Sequence, residues 1–395
     1  MSGGRDQGRA LRRAFVLGAL ALLGAAALAQ ETKVADTTEL RAALARAVPG
    51  RTILLGPGDY AGFSAADVSG REGKPIVLRA ADRRKPPIFR GAVQLSDVAW
   101  LELEGLVFTG SPTNGLNIDD GGTFESPSHH VVLRGVEVKN VGRRGNEDGI
   151  KLSGLDDFRI EDSLVENWGR GGSAIDLVGC RRGTIERTTV RDRAEDPAAT
   201  GVQMKGGTRD VVVRRCRFEN AGGRAVNIGG STGMAYFRPK PEGFEAKDIT
   251  VEGSIFVGSI APIAFVGVDG ATVRWNTFYR PEKWIGRILQ ETRSDGFVPC
   301  RKGAFTRNLV VYRRSAMVVA VNVGPATDSL SFTFSENYWF AEDDPKRSVP
   351  ELPTAESKPA GGKDPLFRDP ATGNFDTAAA SPAKGFGAGA LPGGR

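Results

Sequence analysis

The chain has 395 residues, a quarter of them charged, with 53 Lys and Arg against 47 Asp and Glu for a formal charge of +6. Its two histidines are adjacent, His129 and His130, and its three cysteines show no Cys-x-x-Cys spacing. That argues against a His-ligated metal, a Ser–His–Asp triad, a zinc site or a disulfide framework. Four arginines and one aspartate fall within residues 1–29, so the remainder carries only +3, and a nucleic-acid partner is not expected.

In chain order, Arg5, Arg9, Arg12 and Arg13 precede an apolar stretch from Ala14 that closes on Ala27-Leu28-Ala29. A basic start, a short apolar run and small residues at its end are the pattern of a cleavable signal peptide over 1–29. A secreted or periplasmic protein follows, with no membrane span elsewhere. Thr37-Thr38-Glu39 then opens an amphipathic run through Leu40, Leu44 and Val48. This reads as a short helix covering the open end of what comes next. Strands are expected at Thr52–Leu55 and Pro75–Leu78, on either side of a Gly56-Pro57-Gly58-Asp59 turn.

From Leu103 onward one frame repeats: an apolar residue, four positions, another apolar residue. It reads Leu103/Phe108, Leu133/Val138, Ile160/Val165, Ile185/Val190, Val213/Phe218, Val251/Phe256, Val273/Phe278, Phe305/Val310 and Phe334/Trp339, with steps of 22 to 38 residues. Such a period marks a solenoid, because one unit cannot bury its own apolar face and neighbours must stack. In most units a second strand follows, with inward pairs Leu116/Ile118, Ile150/Leu152, Ile175/Leu177, Val202/Met204 and Val226/Ile228. A leucine-rich repeat would need a helical segment per unit and a propeller four strands per unit. Strand, bend, strand, loop gives an all-β fold, a right-handed parallel β-helix of about nine to ten rungs over residues 30–342. Residues 343–395, rich in Pro, Gly and Ala, read as an irregular tail packed on it. The third residue after each first anchor runs Leu106, Val136, Ser163, Thr188, Cys216, Ser254, Asn276, Asn308, Asn337. A polar column at one offset predicts an internal ladder bonding the bends of successive rungs.

Outward positions of the second strands form columns. One runs Asn117, Lys151, Asp176, Gln203, Asn227; another Asp119, Ser153, Val178, Lys205, Gly229. The positions before them are small: Gly115, Gly149, Ala174, Gly201, Ala225. Together they predict a polar strip beside a flat floor, suited to an extended sugar chain, with Asp148 and Arg224 at its flanks. Lys205, Arg224, Asp176 and Lys151 are the candidate catalytic residues. Asn117, Gln203, Asn227 and Asp148 are candidate substrate contacts, and Trp168 and Tyr236, with Phe237 and Trp284, are candidate loop-tip platforms for sugar rings. Asp148 and Asp176 are the evident carboxylate donors for a Ca²⁺ ion; no other cofactor is expected.

The segments Glu39-Leu40, Ala47-Val48-Pro49-Gly50-Arg51-Thr52-Ile53, Gly58-Asp59-Tyr60, Gly73–Leu78, Leu103–Phe108, Lys363–Phe367 and Ser381-Pro382-Ala383 resemble the chondroitinase-B-like and alginate lyase family of right-handed β-helix proteins. The resemblance implies β-elimination on a uronate-containing polysaccharide, by a lysine that removes the proton beside the carboxyl group, an arginine one rung on, and a Ca²⁺ held by acidic residues. The stretch from Met204 to Gly223 is similar to the one carrying that lysine, which makes it Lys205. Thr200 and Ala198 stand where the family has two glutamates, and Arg224 lies at the start of the next strand rather than its end.

Residue chemistry leaves three readings open. A lyase needs a lysine whose pKa falls below the ordinary value of about 10.4. A β-helix glycoside hydrolase would use Asp148 and Asp176, if roughly 6.5–9.5 Å apart for inversion. A non-catalytic carbohydrate-binding or surface-structural solenoid needs neither. An acidic polysaccharide is the expected partner, and a monomer the expected state.

Overall fold

A computed structural model describes residues 31–142 and 144–392; the segment read as a signal peptide lies outside them. The chain coils into stacked rungs whose strands pair in parallel. Among the described residues one sheet has thirteen strands, from Glu31–Val34 through Thr52–Leu55, Ile76–Ala80 and Ala99–Glu104 to Thr333–Ser335. Two of them, Leu155–Asp156 and Arg159–Glu161, share a tier, so this face is twelve tiers tall. The stack is taller than the nine to ten rungs expected, because the strands ahead of Leu103 join it too. Two further ladders, of short first strands such as Val107–Thr109 and second strands such as Leu116–Asp119, complete a parallel β-helix.

The repeat frame is the register of the sheets. Leu103 pairs Leu133, Leu133 pairs Ile160, and the row continues to Phe334. Phe108 likewise pairs Val138, and its row ends on Trp339. Each anchor thus stacks on its copy one rung away, giving rows of inward rings such as Phe218–Phe256 and Phe256–Phe278 at 4.6 and 4.8 Å.

The predicted ladder lies inside one corner. Leu106 through Asn337 are all buried there. Asn276 N–H and Nδ2 donate to Asn308 Oδ1 at 2.9 and 3.1 Å, Asn308 donates in the same way to Asn337, and Ser254 N–H donates to Asn276 Oδ1. The residue before each member is left-handed, from Gly105 and Gly135 to Trp275, Arg307 and Glu336, with φ between 48° and 67°. The side-chain bonds hold a bend that non-glycine residues adopt only at a cost. The column ends on Glu356 of the tail, which accepts from Asn337 N–H and Nδ2 and from Trp339 Nε1.

The helix spans Thr37–Leu44 and is capped by Asp36, whose carboxylate accepts from Glu39 N–H, rather than by the threonines. Leu40 and Leu44 are buried, but the helix stops before Val48, which is half exposed. Beyond residue 342 the tail adds Ala360–Gly361 beside the strand containing Trp339, and an antiparallel pair, Phe367–Asp369 with Asn374–Thr377. Phe367, Phe375 and Phe386 pack against Tyr279 and Tyr338.

Candidate functional site

The second strands Leu116–Asp119, Ile150–Ser153, Ser173–Val178, Thr200–Lys205 and Arg224–Gly229 lie side by side. Their register places Asn117, Lys151, Asp176, Gln203 and Asn227 in one outward row, which Gln94 extends at its beginning. Asp119, Ser153, Val178 and Lys205 form the second row. Gly229 does not continue it: a register shift after Gln203 pairs Met204 with Gly229, leaving Ile228 as the extra residue. The bulge puts Gly230 beside Lys205, where an added Cβ would stand 3.4 Å from Lys205 Cβ and Cδ and 2.5 Å from Gln203 Nε2.

The chemistry concentrates at Asp148, Lys151, Asp176 and Lys205. Lys151 Nζ donates to Asp148 Oδ2 at 2.9 Å and to Asp176 Oδ2 at 2.7 Å. Lys205 Nζ stands 3.4 Å from Asp176 Oδ1, an atom with no hydrogen bond among the described residues. Asp148 is fixed from both sides: Ser173 N–H donates to its Oδ1, and its own N–H donates to Asn114 Oδ1. The Asp176 side chain is 1% exposed, whereas those of Lys151 and Lys205 are 29% and 22% exposed. The site therefore presents ammonium groups to solvent over buried carboxylates. Burial, and then the Asp176 charge, push the Asp148 carboxyl up to about 6 against the pull of Lys151. For Lys151, burial alone would lower the pKa, but Asp176 and Asp148 outweigh it and raise it.

The loop between Gly230 and Glu245 packs over the turns that follow the second strands, against Gly154, Gly179 and Gly207. Arg238 reaches back to Asp120, 2.8 Å away and 118 residues earlier, with Phe124 over its guanidinium. Tyr236, in the turn Met234–Tyr236, is exposed on this loop. The loop is pinned by Glu245, a fully buried carboxylate accepting from Gly206 N–H, from Thr232 N–H and Oγ1, and from the Thr292 hydroxyl. Nothing in the local sequence marks Glu245, because its donors lie 13 to 47 residues away. At the far end Arg224 donates to Asn227 Oδ1 at 3.4 Å and to Glu291 at 2.8 Å.

Several expectations need correction. Trp168 is fully buried in the core, not a platform at a loop tip. Asn227 is buried, its Nδ2 donating to Gly229 O, so it does not line the surface. The small column is no floor. A Cβ on Gly115, Gly149 or Gly201 would meet a backbone carbonyl of the next rung within 2.7 Å, so these glycines serve a tight corner. Asp148 and Asp176 do not suit Ca²⁺, since the Lys151 ammonium already bonds one oxygen of each. Among the described residues no three His, Cys, Asp or Glu side chains gather as metal ligands. The spacing expected for an inverting hydrolase also fails: Asp148 Oδ2 and Asp176 Oδ2 lie 2.9 and 2.7 Å from one nitrogen, too close together for the roughly 6.5–9.5 Å that admits a water.

Residues 91–278 match the model of the right-handed β-helix region. No curated protein matches the sequence. Among solved structures, the chain is similar to an alginate lyase from Paenibacillus sp. str. FPU-7, at 18% identity and a TM-score of 0.51, covering 75% of this chain and 96% of that one. Pectate lyase Pel9A aligns at 14% identity and 0.55, over 87% and 84%. The PL6 family polysaccharide lyase Pedsa3628 from Pseudopedobacter saltans aligns at 14% and 0.55, over 90% and 98%. At these identities the likeness is one of fold.

Proposed function

We propose, from a right-handed parallel β-helix of the kind polysaccharide lyases are built on, that this chain cleaves a uronate-containing polysaccharide by β-elimination. The observation that carries the reading is the pair of half-buried lysines joined across Asp176, at 2.7 and 3.4 Å, on the outward face of the second strands. In its neutral form Lys205 takes the proton from the carbon next to the uronate carboxyl group. The electron pair left behind forms the new carbon–carbon double bond as the bond to the leaving glycosidic oxygen breaks. That oxygen recovers a proton from the Lys205 ammonium or from water. The substrate carboxylate gains charge in this step, and the Lys151 ammonium, held in place by Asp148 and Asp176, offsets it without a metal ion. Gln203, held by Ser173 at 3.1 Å, and Asn117 flank the reacting sugar, and Tyr236 offers an exposed ring on the neighbouring loop.

The basic and apolar run over residues 5–29 supports export to the periplasm or beyond, where such polymers occur. Incubating the purified chain with a panel of uronate-containing and neutral polysaccharides tests the reading. An ultraviolet-absorbing unsaturated product from an acidic polymer is expected. Reducing ends without that absorbance would mean hydrolysis, and binding without turnover would mean a carbohydrate-binding solenoid; either result overturns the lyase.

A further inference from the structure

The outward row does not stop at the lysines. Gln203 pairs Asn227, Asn227 pairs Ala264, and Ala264 pairs Arg287, which places Arg287 three strands further along the same face. At about 4.8 Å per strand that is roughly 14 Å from the Gln203 position. Ala264 between them is small and buried, so the floor stays low. Arg287 Nε donates to Asn322 Oδ1 at 3.1 Å, and its guanidinium lies 4.4 Å from the centre of the Trp284 ring. Among the described residues its two terminal nitrogens have no hydrogen-bond partner and it has no carboxylate ion pair. Lys283 lies 4.5 Å from the same ring. Arg224, on the strand two tiers back, is near enough for its charge to act on Arg287 and is itself bonded to Glu291.

We infer that Arg287, held flat by Trp284 and flanked by Arg224, forms an anion subsite for a carboxylate or sulfate on a sugar a few residues away from the linkage being cut. A planar fork with both outer nitrogens unbonded matches a two-oxygen anion, and a half-buried guanidinium whose bonded partner is a neutral amide lacks compensation until one binds. Burial, and then the Arg224 charge, hold the Arg287 pKa below its ordinary value, with Glu291 opposing; a bound anion would relieve both effects. The inference rests on the lyase reading in taking Lys205 as the point of cleavage. It adds that the substrate is acidic over a run of sugars, not only at the residue that is cut.

The test is binding to the full chain carrying Lys205→Ala, alone and with Arg287→Gln, measured calorimetrically. The ligands are a disaccharide and a hexasaccharide from an unsulfated uronate polymer, a sulfated hexasaccharide and a neutral one. Loss of a charge-assisted pair predicts that Arg287→Gln weakens an acidic hexasaccharide about tenfold or more. The disaccharide, too short to reach from Lys205, should lose nothing. The larger loss, with the unsulfated or the sulfated hexasaccharide, identifies which anion the subsite takes. Arg287→Lys should restore part of the affinity, as a point charge in place of a fork, and its melting temperature guards against misfolding. Equal affinity of the two chains for both acidic hexasaccharides, or no binding of either by the Lys205→Ala chain, overturns the subsite. Failure of the lyase reading shows separately, as no unsaturated product from the unaltered protein while the binding difference persists.

Discussion

Two polar columns run along this solenoid one rung at a time, and they have been settled differently. At the inner corner Ser254, Asn276, Asn308 and Asn337 hand hydrogen bonds from rung to rung, and Glu356 closes the end. On the outer face Lys151, Asp176 and Lys205 share charges: one Asp176 oxygen makes no hydrogen bond among the described residues, and Asp148 sits with a raised pKa. A buried polar group that is fully bonded rigidifies a fold, while one left partly satisfied beside accessible cations is poised to meet a substrate. The corner is structure, and the outer face is where chemistry can happen.

The largest expected effect lies on the outer face. Lys205→Ala should lower turnover on the cleaved polymer by about 10²–10⁴-fold while leaving the melting temperature near that of the parent, as steady-state rates and a thermal scan would show. A comparable loss of stability would move Lys205 into the same class as the corner asparagines. Asn308→Leu should do the reverse. It removes the acceptor for Asn276 N–H and Nδ2 and should cost about 1–3 kcal/mol in denaturant unfolding, with catalysis retained below the melting transition. An unchanged midpoint would mean the ladder does not hold the bends.

The raised Asp148 carboxyl gives a third contrast, in pH. Its folded value of about 6 lies above its ordinary one of 3.8, so its contribution to stability is complete below the ordinary value and is lost as pH rises through about 6. The parent should therefore lose stability relative to Asp148→Asn between pH 4 and 7, by at most about 3 kcal/mol. A gap between the two melting curves that ignores pH would refute the assignment. The smallest effect belongs to Arg182, which bonds Asp157 twice, at 2.9 Å each, on the exposed long sheet. Arg182→Ala should change stability by about 1 kcal/mol or less despite that geometry.

Most of the scaffold was legible because each rung repeats the same requirement. Inward residues such as Leu133 and Phe218 must be apolar at fixed offsets, and the polar ladder keeps its own, so position alone gave their register. The outer face was legible only in part. Alternation placed Lys151, Asp176 and Lys205 outward, but the bulge at Ile228 shifts the next strand, and no local pattern announces an extra residue. Smallness at Gly149 has two causes, an open floor or a close backbone, and only the distance to Ala174 O, 2.6 Å from an added Cβ, separates them. Trp168 follows a strand and precedes glycines, a context that does not distinguish a loop-tip ring from a core one, and the chain folds it inward. Arg238 to Asp120, Glu245 to Thr292 and Glu356 to Asn337 join irregular loops to distant rungs, with no spacing to read.

Elimination on this face requires Lys205 to act as a base, and Lys205→Arg tests that most directly. Arginine keeps the positive charge beside Asp176 but stays protonated at ordinary pH, so it cannot accept the substrate proton. With a polymer that the parent cleaves, we expect parent turnover to rise toward alkaline pH and Lys205→Arg to be inactive across the same range, both folded by thermal scan. Near-parental turnover by Lys205→Arg would contradict the account and leave the lysine a merely electrostatic part of the groove.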